Sequence, residues 1–403
     1  MKKDEFYSII SKDVVAAAVG RAATPSFLYF RQILLLRLAD LQKCLPSFFQ
    51  IYYAVKANPN TSLLRELSAL GVGADVASLG ELHAAMANGI DPDRIEFSGP
   101  GKSEQEIRVA VQRGISSINA ESLLELEKIT QISCQVGVKA RVGLRVNPRR
   151  PSGGAGLSMS GDTQFGIPLS DLPEALKLIQ GNANTMSFTG LHVHSGSQLL
   201  ASADIVENFR MILDIAFETV NLGILPVKKI NFGGGWGISY FPNQKSLNLK
   251  EIAEGLEDLF SNPKYSSLAQ IRYIVEPGRF LVGECGLYVT RVLYKKGGVS
   301  KRFLIVDGGM HQHYLLAGGM GQVIRRNFEL DIFSIDSHES PSSGTYDIAG
   351  CLCTPQDILA SNVVYDRDVR VGERIVFFNS GAYGVTASPS KFLGHEPPIE
   401  MIV

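Results

Sequence analysis

What the sequence lacks narrows the field before any motif is read. Neither sign of charge is in surplus, the formal net charge being −1 over 403 residues. That removes the electrostatic grounds for expecting nucleic acid or an anionic membrane surface as a partner. Cysteine is scarce: Cys44, Cys134, Cys285, Cys351 and Cys353 make five. The odd number and uneven spacing describe no disulfide framework and favour a reducing compartment. No run approaches the ~20 apolar residues that cross a bilayer. The segment MKKDEFYSIISKDVVAAAVG sets acidic residues directly after its basic ones, with no uninterrupted apolar core and no small-residue cleavage site. A cytoplasmic protein is the expectation. Repeats and low-complexity tracts are absent as well. With 45% hydrophobic and 20% charged residues, the composition is that of a globular protein long enough for more than one domain.

What is present is an alternation. Short β-rich runs fall at Gln50–Val55, Gly73–Ala77, Arg94–Ser98, Ile115–Asn119, Ala140–Val146, Phe188–Val193, Lys228–Phe232 and Ile271–Val275. Stretches with helical spacing, such as Thr61–Leu70, Gly80–Asn88, Ser103–Gln112 and Ala203–Val220, lie between them. Such alternation argues for parallel strands with helical crossovers. Eight strands suit a (β/α)8 barrel, with a doubly wound open sheet as the competitor. Asn147–Gly166, rich in Gly, Ser and Pro, is a long loop after the fifth strand. Beyond residue 280, Leu281–Lys295, Phe303–Asp307, Thr345–Ala349 and Arg374–Asn379 are β-rich without helical spacers. The expected organisation is an N-terminal segment, 1–30, whose β-like Pro25–Phe30 joins a β domain; a barrel, 31–280; and a C-terminal all-β domain, 281–403.

A barrel enzyme carries its chemistry at the C-terminal ends of its strands, and the polar and glycine-rich signals fall there. Lys56 follows strand one, His194 and Ser197 strand six, Gly233–Gly235 strand seven, and Glu276, Gly278 and Arg279 strand eight. Lys56 ends an apolar run, which partly desolvates its ammonium and favours amine chemistry; a lysine snorkelling to water has the same text. Gly233–Gly235 lets backbone approach an anion, or is a plain turn. It is no dinucleotide fingerprint, because Ile238 stands where the third glycine belongs. GPGKS at 99–103 has Glu96 in place of the first P-loop glycine. Glu276 suits a protonated pyridine nitrogen, or a salt bridge to Arg279. The pairs His192/His194 and His311/His313 raise a metal site. No carboxylate or cysteine near either pair completes a ligand set, so no metal is expected. Cys351 and Cys353 form C-x-C rather than C-x-x-C.

YAVKANPN, GADVASLGEL, FSGPGKS, HVHSGSQ, NFGGGWG, EPGRF, DGGM, a C-x-x-x-D element and GAYG occur in this order over nearly the whole chain. The ordered set resembles the fold-type III pyridoxal-phosphate decarboxylases, which include the diaminopimelate, ornithine and arginine decarboxylases and share a fold with alanine racemase. The resemblance implies pyridoxal 5'-phosphate as cofactor, with Lys56 forming its Schiff base and His194 stacked on its ring. It implies that Ser197, Gly234, Gly235, Arg279 and Tyr383 hold the phosphate, with Gly278 also at the cofactor. It implies that Glu276 binds the pyridine nitrogen, where a glutamate rather than an arginine favours decarboxylation over racemisation. It further implies a homodimer with shared active sites, in which Cys353 from a second subunit protonates the carbanion and Asp357 lines the substrate pocket.

Two departures bear on substrate. Diaminopimelate decarboxylases carry a glutamate after the cysteine, where this chain has Thr354. They also follow DGGM with an arginine-containing element, where this chain reads HQHYLLAGGMGQVIRRN; Arg325 and Arg326 lie further on. Buried charges need partners, so a substrate with a distal ammonium and carboxylate fits poorly. LCTPQD, DGGMHQH, NSGAYG and FLGHEPPIE instead resemble the butirosin-pathway decarboxylase, which acts on a glutamyl group tethered to an acyl carrier protein, and the decarboxylases found beside exosortase systems. The expected activity is decarboxylation of an amino acid or a carrier-bound aminoacyl group. A diaminopimelate decarboxylase, a racemase and a non-catalytic regulatory homologue are the alternatives.

Overall fold

The third barrel strand shows how these short runs serve two environments. In Ile95–Phe97 all three residues are buried. Apolar and polar side chains alternate, as they must when successive residues face opposite sides of a sheet. Ile95 and Phe97 face one side and Glu96 the other. A charged residue can be buried there only with partners. Glu96 has Lys229 as ion-pair partner, and accepts hydrogen bonds from the amides of Asn231 (2.9 Å) and Asn119 (2.9 Å). Those residues come from strands seven and four, so the polar set sits inside a closed ring of strands.

The structure is a computed structural model that describes residues 1–148, 161, 163–297, 302–319, 326–334 and 343–403. Most of the expected 147–166 loop, and Arg325, lie outside the described residues. The eight barrel strands are Phe49–Ala54, Gly73–Val76, Ile95–Phe97, Ser117–Ala120, Ala140–Asn147, Met186–His192, Lys229–Asn231 and Arg272–Val275. Each pairs in parallel with the next, and strand eight returns to strand one with Tyr273 opposite Phe49. That last pairing decides between barrel and open sheet: the sheet closes. Helices such as Thr61–Ala69, Leu79–Ala87, Glu104–Arg113 and Ser202–Asn221 form the crossovers. Their ends follow local chemistry. Asn60 caps the first, Ser103 and Glu106 make a capping box on the third, and Gly114 ends it at φ 60°.

The chain divides into two units. One is the barrel, Leu38–Gly237 with Leu247–Gly278; the other comprises Met1–Arg37, Ile238–Ser246 and Arg279–Val403. Among the described residues the second unit is built on an eight-stranded sheet. Across it run Leu330–Phe333, Arg374–Phe377, Gly286–Gly297, Arg302–Val306, Gly344–Ala349 and Ile358–Tyr365. Ser26–Tyr29 pairs antiparallel with Gly286–Gly297 and parallel with Ile399–Ile402. The β-rich reading of Leu281–Lys295 is corrected at its start, because Arg279–Val282 is one helical turn. No helix among the described residues is long and apolar enough to cross a membrane.

The Glu96–Lys229 pair yields a stability prediction. Lys229→Met strands a buried carboxylate and should cost about 3–5 kcal/mol, whereas the double change Glu96→Gln/Lys229→Met should recover much of that loss. Chemical denaturation of the three variants checks this.

Candidate active site

Strands six, seven and eight end on a set of side chains that hold one another. His192 is the last residue of strand six and lies opposite Asn231, the last residue of strand seven. Glu276 follows strand eight directly. His192 Nε2 lies 3.0 Å from Glu276 Oε2, and the Asn231 amide donates to Glu276 Oε1 at 2.5 Å. The same Asn231 amide donates to Glu96, so Glu276 is tied into the polar network of the barrel interior. Glu276 is 3% exposed. Burial acts to raise its pKa, but His192 and then Lys56 outweigh burial and hold the carboxyl well below its ordinary range. The result is a fixed, ionised carboxylate.

Lys56 lies just beyond strand one, in the short turn Val55–Ala57, with its side chain 41% exposed. Its ammonium pairs with Asp75, the third residue of strand two, at 3.9 Å. Asp75 is buried. Burial and then the charge on Glu276 push the Asp75 carboxyl up, against the opposing pull of Lys56. Two buried carboxylates thus sit near one lysine with their proton affinities moved in opposite directions. Gly278 is where the strand-eight loop meets the Lys56 turn. A Cβ there would come within 2.9 Å of the Ala57 methyl.

The loops after strands six and seven are pinned to each other. Leu199 N–H donates to the Gly235 carbonyl, and Gly237 N–H donates to the Leu199 carbonyl, both at 2.9 Å. Gly234 N–H donates to His194 Nδ1 at 3.0 Å, which leaves any ring proton on Nε2. Burial, with Lys56 and Arg145 adding to it, pushes the His194 pKa well down, so the ring is neutral. A side chain on any of the three glycines would strike backbone. Gly233 (φ +62°) would meet the Val193 carbonyl at 2.6 Å, Gly234 the Glu276 carbonyl at 2.3 Å, and Gly235 (φ +92°) the Gly196 carbonyl at 2.7 Å. Ser197 lies in the same strand-six loop and is part-exposed.

In the second unit, Arg279 donates to the Tyr240 hydroxyl at 2.6 Å, and its guanidinium stacks 4.5 Å from the Tyr383 ring centroid. Tyr383 holds φ 54°, a left-handed conformation that a bulky residue adopts at a cost of about 1–3 kcal/mol. Glu276 pairs with His192, rather than with Arg279 as one reading of the sequence had it. Cys353 is exposed and Thr354 part-exposed on the loop Gly350–Asp357. Asp357, expected at the substrate, is 2% exposed and turned inward. Its carboxylate accepts from Met310 N–H (2.6 Å) and Leu352 N–H (2.9 Å), which fixes the loop that carries Cys353. Lys102 of GPGKS is also structural, pairing with Glu125 at 2.8 Å and donating to the Gly99 and Asn119 carbonyls.

Sequence reasoning missed Asp75, Asn231 and the part played by His192. The signal for two of them was a polar residue inside a short apolar strand. The residues of the barrel fit a pyridoxal phosphate: an amine, a buried ionised carboxylate, a neutral imidazole, and a glycine run without room for side chains, suited to an anion.

Residues 32–283 match the family model described as pyridoxal-dependent decarboxylase, pyridoxal binding domain. The chain is 34% identical over 390 residues to the L-glutamyl-[BtrI acyl-carrier protein] decarboxylase of Niallia circulans, covering 96% of this chain and 90% of that protein. It is 33% identical over 372 residues to the diaminopimelate decarboxylase of Aquifex aeolicus, covering 91% and 83%. Among solved structures, the diaminopimelate decarboxylase of Helicobacter pylori complexed with L-lysine superposes with a TM-score of 0.85 at 28% identity, covering 96% of this chain and 94% of that one. Model match, relatives and barrel rim agree, and the chain belongs to the pyridoxal-dependent decarboxylases, enzymes that use pyridoxal phosphate to decarboxylate amino-acid substrates.

Proposed function

We propose that the chain removes the α-carboxylate of an amino acid whose distal end is masked, as in a glutamyl group carried as a thioester on an acyl carrier protein. The observation that carries this reading is the loop Gly350–Asp357. It presents Cys353 and Thr354 outward and no acidic group, because its one carboxylate, Asp357, is spent on backbone N–H groups. A free distal ammonium would enter such a pocket without its partner, at a cost of several kcal/mol; a masked end requires none. The 34% identity to a carrier-protein glutamyl decarboxylase supports the same substrate. Steady-state kinetics test the proposal. Carrier-bound L-glutamate should exceed meso-diaminopimelate in kcat/KM by at least ~10³-fold, and a value for diaminopimelate of ~10⁴ M⁻¹s⁻¹ or above would overturn it.

Pyridoxal phosphate, when bound, supplies an electron sink for the charge left on the α-carbon. The chain's own residues do the rest. Lys56 anchors the cofactor covalently. Glu276, kept ionised and oriented by His192 and Asn231, holds a proton on the pyridine nitrogen. Neutral His194, oriented by Gly234 N–H, would stack on the cofactor ring without adding charge. Ser197 and the Gly235 backbone take the phosphate, and Gly234 and Gly278 leave it room. Arg279 and Tyr383 would join as phosphate ligands, a role that the family resemblance implies. A reducing, cytoplasmic setting suits the five free cysteines.

The proposal includes a homodimer in which Cys353 serves the partner's site and delivers a proton to the substrate α-carbon after CO2 departs. Each of two inactive variants, Lys56→Ala and Cys353→Ala, then spoils a different half of a shared site. Mixing them under conditions of proven subunit exchange should restore up to about one quarter of wild-type activity, from the one intact site in each mixed dimer. No recovery would refute the sharing.

A further inference from the structure

The second unit brings together three residues that the decarboxylation chemistry does not use. His311, Cys351 and His395 place their ligand atoms within 4.8 Å of one another. His311 is 1% exposed, and neither of its ring nitrogens has a hydrogen-bond partner. Buried polar atoms are nearly always satisfied, so a buried ring with two orphaned nitrogens calls for an explanation. His313 is also buried and orphaned, but it lies among the rings of Phe27, Tyr288 and Phe328, where no ligand atom of the described residues joins it. His311 instead faces the His395 ring at 4.9 Å between centroids.

The scaffold around the three is rigid where it must be and free where it can be. Cys351 N–H donates to the Gly308 carbonyl at 3.0 Å, and Asp357 binds Met310 N–H, so the His311 turn and the Cys351 loop are fastened together. Gln312 donates to the Glu396 carbonyl at 3.2 Å, which anchors the segment carrying His395. The His395 side chain itself is exposed and can turn. Bonds of ~2.0–2.1 Å to nitrogen and ~2.3 Å to sulfur bring tetrahedral ligands to about 3.3–3.8 Å apart. A small rotation of His395 closes that gap.

We propose that His311, Cys351 and His395 form a binding site for a borderline-soft divalent cation of the Zn²⁺ class. Two imidazoles and one thiolate are the donor types such ions select. Cys351 binds as the thiolate, its proton passing to solvent, and water takes the fourth position. The ion joins three segments far apart in sequence, one of them the loop that carries Cys353. The site stands on its own geometry, whichever substrate the enzyme takes.

The test titrates the full-length, cofactor-loaded protein with Co²⁺, whose tetrahedral d–d absorption lies in the red, beyond the cofactor bands, and then displaces it with Zn²⁺. One Co²⁺ per chain with that absorption is expected. His395→Gln, which changes an exposed side chain, and Cys351→Ser should each weaken binding by more than ~100-fold, beyond the ~10–100-fold that partners outside the ligand shell contribute. Cys134→Ser, an exposed thiol in the barrel unit, should leave binding unchanged. Absence of the red absorption at one equivalent, or full-strength binding in both ligand variants, overturns the proposal.

Discussion

Replacing Lys56 by alanine should abolish covalent attachment of pyridoxal phosphate and lower the decarboxylation rate by about 10⁴–10⁶-fold, the range seen when a residue that bonds covalently to its reactant, or the one that orients its base, is removed. Lys56 is the residue with the means to do this. It stands at the mouth of the barrel on a short turn clamped by Gly278, with its ammonium 3.9 Å from buried Asp75. The fold should survive the change, because the side chain is 41% exposed. Borohydride reduction followed by peptide mapping checks the assignment. Label on the Lys56 peptide in wild type and on none in the variant is the expected pattern; label on another lysine in either protein would refute it.

Glu276→Gln should produce a different failure. The variant keeps the side-chain shape, and its carbonyl oxygen can still accept from Asn231, so covalent attachment at Lys56 should persist. What it loses is the fixed negative charge. The kcat should fall by ~10²–10³-fold, the scale of removing one preorganised electrostatic contact, with a much smaller change in KM. His192→Gln should follow it with a smaller loss, because it removes the group that lies against Glu276 Oε2 and helps hold the carboxylate ionised. Cofactor loss in Glu276→Gln, rather than slow turnover with the cofactor in place, would show that the carboxylate acts in binding and not in the chemical step.

The barrel was legible because its strands are short runs of Val, Ile, Phe and Tyr bounded by Gly, Asn and helix caps, and because several of its helices start on a capping residue, such as Asn60, Ser78, Ser103 and Ser122. Closure was not legible: it depends on Tyr273 meeting Phe49, more than two hundred residues apart in the chain, and periodicity is blind to pairing. The strands at Leu330–Phe333, Ile358–Tyr365 and Ile399–Ile402 went unread. The last pairs with Ser26–Tyr29 near the other end of the chain, and no local pattern announces such a contact. The excursion Ile238–Ser246, which belongs to the β unit, carries no composition shift.

At the candidate site, glycine and strand-end signals marked the rim, but the supports beneath it were read for other things. Glu96 served only to argue against a phosphate loop, and His192 was weighed as a metal ligand. Glu96 lies within a short apolar strand and His192 at the end of strand six, and both are buried, so burial obliges them to find each other's networks. The family resemblance implied that Asp357 lines the substrate pocket. Only the fold shows its oxygens taken by Met310 and Leu352. For His311 the sequence offered no third ligand, because Cys351 and His395 lie 40 and 84 residues further on.

The central claim is decarboxylation at the barrel rim. It is tested most directly by supplying α-carboxyl-labelled substrates, free amino acids beside carrier-bound glutamate, to the cofactor-loaded protein in D2O. The account predicts labelled CO2 from the carrier-bound substrate, one deuterium at the α-carbon of the product, and no such release from Lys56→Ala. Exchange of the α-proton without CO2 release, or no CO2 from any substrate in the set, would contradict it.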